Sequence, residues 1–433
     1  MIARPAFAFY GDDFTGSTDA LEALSSRGIE AVLFLEMPDS GMFEEFKSSK
    51  AIGIAGDSRS RSPEWMSQHL PSIFQMLKET RAGICQYKIC STFDSSPETG
   101  SIGRAIEIGK DVFGSQCVPV FAAAPHLKRY VVFGNLFAAA GENVFRIDRH
   151  PGMSRHPVTP MNEGDLRVHL GRQTAVSISS FDILQITSPT ADMQFEQLLQ
   201  HRPQAILFDG LDEDSLRKGA GMVWKRCGAC PFVVGSSGFT HGLAAYWQSA
   251  GLNYEMPRSN TAKRVDRLAV LSGSCSPVTE TQIRWALANG FDGHQINGSA
   301  LLNELNTEKR RLVQNACKSL NNGRSVLLYS ALGSDGFDGR VDRCRLGEEM
   351  GLLLRDVLFE SGVRRAVIAG GDTSSYAGRQ LGVYALTMEA ALSPGAPLCR
   401  AYTHEKGLTG LELVFKGGQV GREEFFGTVR EGA

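Results

Sequence analysis

Two carboxylates stand side by side where an apolar run ends. Residues 6–28 read AFAFYGDDFTGSTDALEALSSRG, so the run Ala6–Tyr10 ends at Gly11-Asp12-Asp13. Adjacent carboxylates repel unless a cation or a basic side chain answers them. Such a pair suits a Mg²⁺ ligand, or a base that takes a proton from a substrate hydroxyl. The plainer alternative is a cap that offsets the dipole of a following helix, and the buried strand before the pair favours function. Asp12 and Asp13 are the candidate catalytic residues.

Basic and hydroxyl groups recur at matching places. Arg59 and Arg61 lie just beyond the apolar run Ala51–Ala55, in GDSRSR. A guanidinium there can hold a carboxylate, of a substrate or of the aspartates, through two parallel bonds. The plainer alternative is a solvated ion pair of little worth. Lys88 closes the apolar stretch ICQYK, and a lysine buried without an anion is costly. Ser91 and Thr92 crowd the loop after it. A basic, proline-containing loop, Asp148–Pro160, carries Arg149, His150, Arg155 and His156. Loops of this kind are often functional, and this one could close over the acidic strand ends, with Arg155 as its candidate substrate contact. The six-residue spacing of His150 and His156 fits neither a helical face nor the usual zinc spacings, and no metal ligand is assigned.

The later part of the chain repeats a different device. Apolar runs empty into Ser272-Gly273-Ser274-Cys275-Ser276, into Gly370-Gly371-Asp372-Thr373, and into Gly417-Gly418 after Lys416. The Ser334-Asp335-Gly336 turn after another run has the same character. Backbone N–H groups exposed at such turns, aligned with a helix dipole, cradle anions. Several in one domain point to phosphate. There is no GxxxxGK[ST], no VAIK and no HRD set, so the P-loop and protein-kinase designs are excluded.

Strands at 6–10, 31–35, 51–55, 83–90 and 117–123, alternating with helical patterns, must position these groups. They predict an open α/β sheet whose ligands lie beyond the carboxyl ends of strands. Residues 129–137 and 142–146 predict a hairpin-like excursion, and Ile183–Thr187 a strand. The polar stretch Asn253–Asp266 divides a first domain, 1–255, from a second, 265–433. The expected fold is therefore α/β in two domains, each a largely parallel sheet flanked by helices, with the active site in the cleft between them.

Composition agrees with that frame. The 433 residues carry a formal charge of -2, which favours neither nucleic acid nor a membrane surface. No apolar run is long enough to span a bilayer, and no charged-then-apolar leader precedes the first strand. Nine cysteines, scattered and mostly within apolar stretches, suit reduced thiols in a cytoplasmic compartment. Cys227-Gly228-Ala229-Cys230 has no second CxxC to complete a tetrahedral site and is expected to be packing. A homo-oligomer is left open.

Together the parts suggest a first domain that takes a small polar anion and a second that takes a nucleotide. The segments GDDFTGSTD, DSRS, KICSTFDSSPETGSIGRAI, FGNLFA, RHPGMSRHPVTPM, LSGSCSPVT, GGDTS and KGGQVG, in this order over nearly the whole chain, resemble the four-carbon acid sugar kinase family. The resemblance implies an N-terminal sugar-acid domain and a C-terminal ATP domain. It implies transfer of the γ-phosphoryl group, with Mg²⁺, to the C4 hydroxyl of the acid. It places substrate contacts at Asp12, Asp13, Arg59, Lys88, Ser91 and Thr92. It places nucleotide contacts at Ser272 to Ser276, at Gly370 to Thr373, and at Gly417. Family members acting on threonate or erythronate tend to carry KxDSTxRG, whereas this chain has Lys88-Ile89-Cys90-Ser91-Thr92-Phe93-Asp94. That departure points to 3-oxo-tetronate first, with threonate, erythronate and 3-oxo-isoapionate as alternatives. A non-catalytic sugar-acid and nucleotide sensor is the competing function of another class.

Overall fold

The computed structural model describes residues 5–156, 158–252, 261–333 and 342–432. Part of the expected linker, 253–260, and the Ser334-Asp335-Gly336 turn lie outside the described residues. The chain forms two compact units: Met1–Asp12, Ala23–Ala31 and Asp39–Met256 make the first, and Asp13–Glu22, Val32–Pro38 and Pro257–Ala433 the second.

The first unit is built on seven parallel strands. Their order is Ala51–Ala55, Phe7–Gly11, Ile84–Lys88, Phe232–Gly235, Val118–Phe121, Ala205–Phe208 and Ile178–Phe181. All five residues of Phe7–Gly11 are buried, as a strand covered on both faces requires. Each phenylalanine so buried contributes roughly 2–3 kcal/mol. The register aligns Gly11 with Ala55 and Lys88, and Lys88 with Gly235. Four strands therefore end level with one another, and their C-terminal loops emerge side by side.

The expected excursion is a separate three-stranded antiparallel sheet, Arg129–Val132, Asn135–Ala140 and Asn143–Arg146. The strand expected at Ile183–Thr187 is instead a short helix. Asp182 caps it in a reciprocal box with Gln185, and this local polar pairing outweighs the β-branched content of ILQIT. Cys230 is buried next to Cys117 at the starts of neighbouring strands, at the opposite edge from Asp12.

The second unit has five parallel strands in the order Phe291–Gln295, Ser325–Tyr329, Ala269–Ser272, Arg365–Ala369 and Glu412–Lys416. An antiparallel hairpin, Val383–Ser393 with Ala396–Thr403, extends this sheet. Leu33 and Phe34 from the N-terminal region pair with Leu386 and Ala385 of the hairpin. Ser272 is level with Ala369, and Ala369 with Lys416, so the three glycine loops leave one edge together. Among the described residues no helix is long and apolar enough to cross a membrane.

Candidate active site

In the first unit the level strand ends gather the predicted polar residues. The Asp12 N–H donates to the Lys88 carbonyl at 2.9 Å, which locks two of these ends together. Arg59 stands on a single 3₁₀ turn, Ser58–Ser60, after the neighbouring strand. Its Nη2 donates to Asp12 Oδ1 at 2.6 Å and its Nε to Oδ2 at 3.1 Å. The Arg59 N–H also donates to the Asp12 carbonyl at 3.1 Å. Asp12 is 4% exposed, so this fork supplies the compensation that a buried carboxylate requires. Arg61 pairs with Asp57 instead.

Lys88 is 2% exposed, and its Nζ donates to the Ile89 carbonyl at 2.9 Å. Beyond it the chain turns sharply at Phe93, a buried residue with φ +60°. Thr92 Oγ1 donates to Asp94 Oδ1 at 2.6 Å, and Ser91 Oγ accepts from Arg129 Nη1 at 2.8 Å. Burial alone would raise the Asp94 carboxyl, but the Arg59 guanidinium, His156 and the Thr92 hydroxyl hold it down at about 2. Behind Phe93, Ser95 bonds His169 Nε2 at 3.0 Å, and burial pushes that imidazole down to about 4. His169 is therefore a neutral prop for the loop. Arg155 is exposed on the turn Met153–Arg155. It is His156, the next residue, whose charge bears on Asp94.

Asp13 belongs to the second unit, although it is bonded to Asp12. It precedes helix Phe14–Ser25, where Gly16 N–H donates to its Oδ1 at 2.8 Å and Thr15 Oγ1 to its Oδ2 at 2.6 Å. The helix-cap alternative is realised here. The same carboxylate lies at the start of helix Gly371–Arg379, with Oδ2 3.6 Å from where a Gly371 β-carbon would stand. The Phe14 N–H donates to Ser375 Oγ of that helix at 3.2 Å.

The three glycine loops meet around this helix start. A β-carbon on Gly273 would sit 2.2 Å from Thr373 Oγ1, and one on Gly418 2.9 Å from Ser274 Oγ. Gly370 has φ +120° and faces the Ser274 N–H, 3.4 Å from its ideal β-carbon. Ser276 caps helix Pro277–Ala288 by accepting from Val278 N–H at 3.2 Å. Asp372 is exposed on the first turn of its helix. Ser272 Oγ is buried and has no hydrogen-bond partner among the described residues. Glycines that only a bare backbone can fill, together with an orphan hydroxyl, fit a polyanionic ligand held by main-chain amides.

Lys416 stands beneath these loops, fully buried. Its Nζ donates to Thr279 Oγ1 at 3.0 Å and to the Gly417 carbonyl at 2.9 Å, while Thr279 Oγ1 donates to the Gly418 carbonyl at 2.9 Å. Burial pushes its ammonium down to about 7. The signal that singles out Lys88, a lysine closing an apolar strand, is also present in LELVFK and finds Lys416. Arg129 has no such signal, since it opens the apolar strand RYVV.

Residues 7–243 match the model of a sugar-binding N-terminal domain, and residues 269–426 that of a nucleotide-binding C-terminal domain. The chain belongs to the four-carbon acid sugar kinase family. It is an ATP-dependent sugar-acid kinase. The chain is 44% identical to a 3-oxo-isoapionate kinase of Paraburkholderia graminis, over 98% of this chain and 94% of that one. It is 28% identical to a 3-oxo-tetronate kinase of Cupriavidus necator, over 98% and 96% respectively. The solved Haemophilus influenzae protein HI1011 has the same fold, with TM-score 0.70, 22% identity, and coverage of 98% of this chain and 99% of that one. In this kinase family member most of the first unit falls within the sugar-binding match, and the three glycine loops fall within the nucleotide-binding one.

Proposed function

We propose that this kinase transfers the γ-phosphoryl group of ATP to a terminal hydroxyl of a 3-oxo sugar acid, with 3-oxo-isoapionate as its substrate. The observation that carries the choice is 44% identity to a 3-oxo-isoapionate kinase against 28% to a 3-oxo-tetronate kinase. Cys90 in place of the aspartate of KxDSTxRG favours 3-oxo acids as a class, and 3-oxo-tetronate remains the second reading.

Phosphoryl transfer asks a protein mainly for positioning and charge neutralisation. Lys88, Ser91, Thr92 and the Asp12–Arg59 pair would position the acid. Amides of Gly273, Ser274, Gly371 to Thr373, Gly417 and Gly418 would hold the phosphates, with Ser272 Oγ and Ser276 as hydroxyl partners. Both oxygens of Asp12 are held by the Arg59 guanidinium, whereas those of Asp13 accept from the neutral Thr15 hydroxyl and Gly16 N–H, so Asp13 is the carboxylate we assign to orienting the attacking hydroxyl. Mg²⁺, when bound, would neutralise phosphate charge, and Asp13 and Asp372 are the carboxylates beside the loops that could hold it. Nine free cysteines fit a cytoplasmic setting.

A coupled ADP-release assay across 3-oxo-isoapionate, 3-oxo-tetronate, threonate and erythronate tests the assignment. The highest kcat/KM is expected on 3-oxo-isoapionate. Inactivity on all four acids would remove the proposal and favour a sensor.

A further inference from the structure

Among the partly buried arginines of the first unit, Arg129 stands apart. Arg27, Arg59, Arg61, Arg104, Arg146 and Arg167 each have a carboxylate within ion-pair distance. Arg129 forms no ion pair among the described residues, and its guanidinium makes a single side-chain bond, to the hydroxyl of Ser91. It is partly buried. A partly desolvated guanidinium satisfied only by a neutral oxygen is a cost that a bound anion would remove.

Its placement is fixed by the backbone. The Arg129 N–H donates to the Ala124 carbonyl at 3.2 Å, and the Ala124 N–H donates back to the Arg129 carbonyl at 2.9 Å. Lys128, with φ +56°, makes the tight turn between them. Ala124 follows strand Val118–Phe121, so this turn carries Arg129 back over the ends of the first unit's strands. The charges of both Arg59 and Arg129 reach Cys90, so the two guanidinia flank one loop. Arg59 is spent on Asp12, while Asp94 is answered by Arg59, His156 and Thr92. Lys88 offers a point charge rather than a fork.

We propose that Arg129 is the residue that grips the substrate's carboxylate, through a two-pronged contact set beside Ser91. This rests on the function proposed above. The carboxylate would accept from the guanidinium edge not used by Ser91, and the Ser91 hydroxyl would keep that edge aimed. Arg129 would then select acids over neutral keto sugars of the same shape.

The test uses the full-length enzyme with 3-oxo-isoapionate, 3-oxo-tetronate and their two neutral carboxamides. Wild type is expected to prefer its acid over the matching carboxamide by about 10²-fold in kcat/KM. In Arg129→Met the acid's KM rises about 10²-fold, kcat and the KM for ATP hold within roughly 3-fold, and the preference for acid over carboxamide falls below about 3-fold. Millimolar methylguanidinium restores part of the lost acid KM. Equal losses on acid and carboxamide would show a purely structural role and overturn the proposal, as would an unchanged KM. Where Arg129→Met does not fold, Arg129→Lys decides: an acid KM raised about 10-fold with the carboxamide unaffected supports the fork, and wild-type kinetics overturn it. A wild-type enzyme inert toward every acid would remove the proposed function and this assignment with it, an outcome separable from failure of Arg129 alone.

Discussion

Arg59 holds both oxygens of Asp12, at 2.6 and 3.1 Å, across 47 positions of sequence. Removing one partner leaves the other charge buried. Arg59→Ala is expected to destabilise the protein by about 3 kcal/mol. The double variant with Asp12→Asn should be less destabilised than the sum of the singles, with a coupling of roughly 1–3 kcal/mol. Urea unfolding of all four proteins measures this, and additivity would mean that the pair contributes nothing.

Asp13 caps a helix and also adjoins the helix that begins at Gly371. Asp13→Asn keeps an acceptor for the Gly16 N–H, so folding should survive. We expect turnover to fall by at least ~10², with ATP affinity by calorimetry within a few-fold of wild type. Wild-type turnover would take Asp13 out of the chemistry.

Among the glycines of the three loops, Gly273 is expected to be the most sensitive. A methyl group there would press on Thr373 Oγ1 from 2.2 Å, and a β-branched side chain rotates away only at a cost. Gly273→Ala should lower kcat/KM for ATP by about 10²-fold while leaving the acid's KM nearly unchanged. A rise confined to the acid's KM would argue that these loops do not hold the nucleotide.

Glu22 gives a stability signature in pH. Burial, then Asp19, push its carboxyl up to about 8 from 4.5, against a 2.7 Å bond from the Gly395 N–H. Between those two values the folded chain holds a proton that the unfolded chain has lost. Stability from this group therefore falls as pH rises through that window, by at most about 1.4 kcal/mol per unit. Glu22→Gln keeps the acceptor and cannot ionise. Its melting temperature should match wild type near pH 4.5 and exceed it at pH 7.5, as differential scanning calorimetry would show. A parallel pair of pH profiles would contradict this.

The residues themselves decided the local architecture. Runs such as Phe7–Gly11 and Ala51–Ala55 are short, apolar and closed by glycine or polar residues, which is enough to make a buried strand ending in a ligand loop. Lys88, the Ser91-Thr92 pair and the three glycine loops were legible for that reason. Tertiary structure decided which of these groups share an environment. Strand order places Ala51–Ala55 beside Phe7–Gly11, and only that brings Arg59 onto Asp12. The chain passes from one unit to the other between two bonded aspartates, so Asp12 becomes half of an ion pair while Asp13 joins the glycine loops. Arg129 reaches Ser91 through a separate small sheet, and no local pattern announces it. Burial and backbone bonding act along the chain and can be read there, whereas the pairing of charges depends on which distant strand ends the register sets side by side.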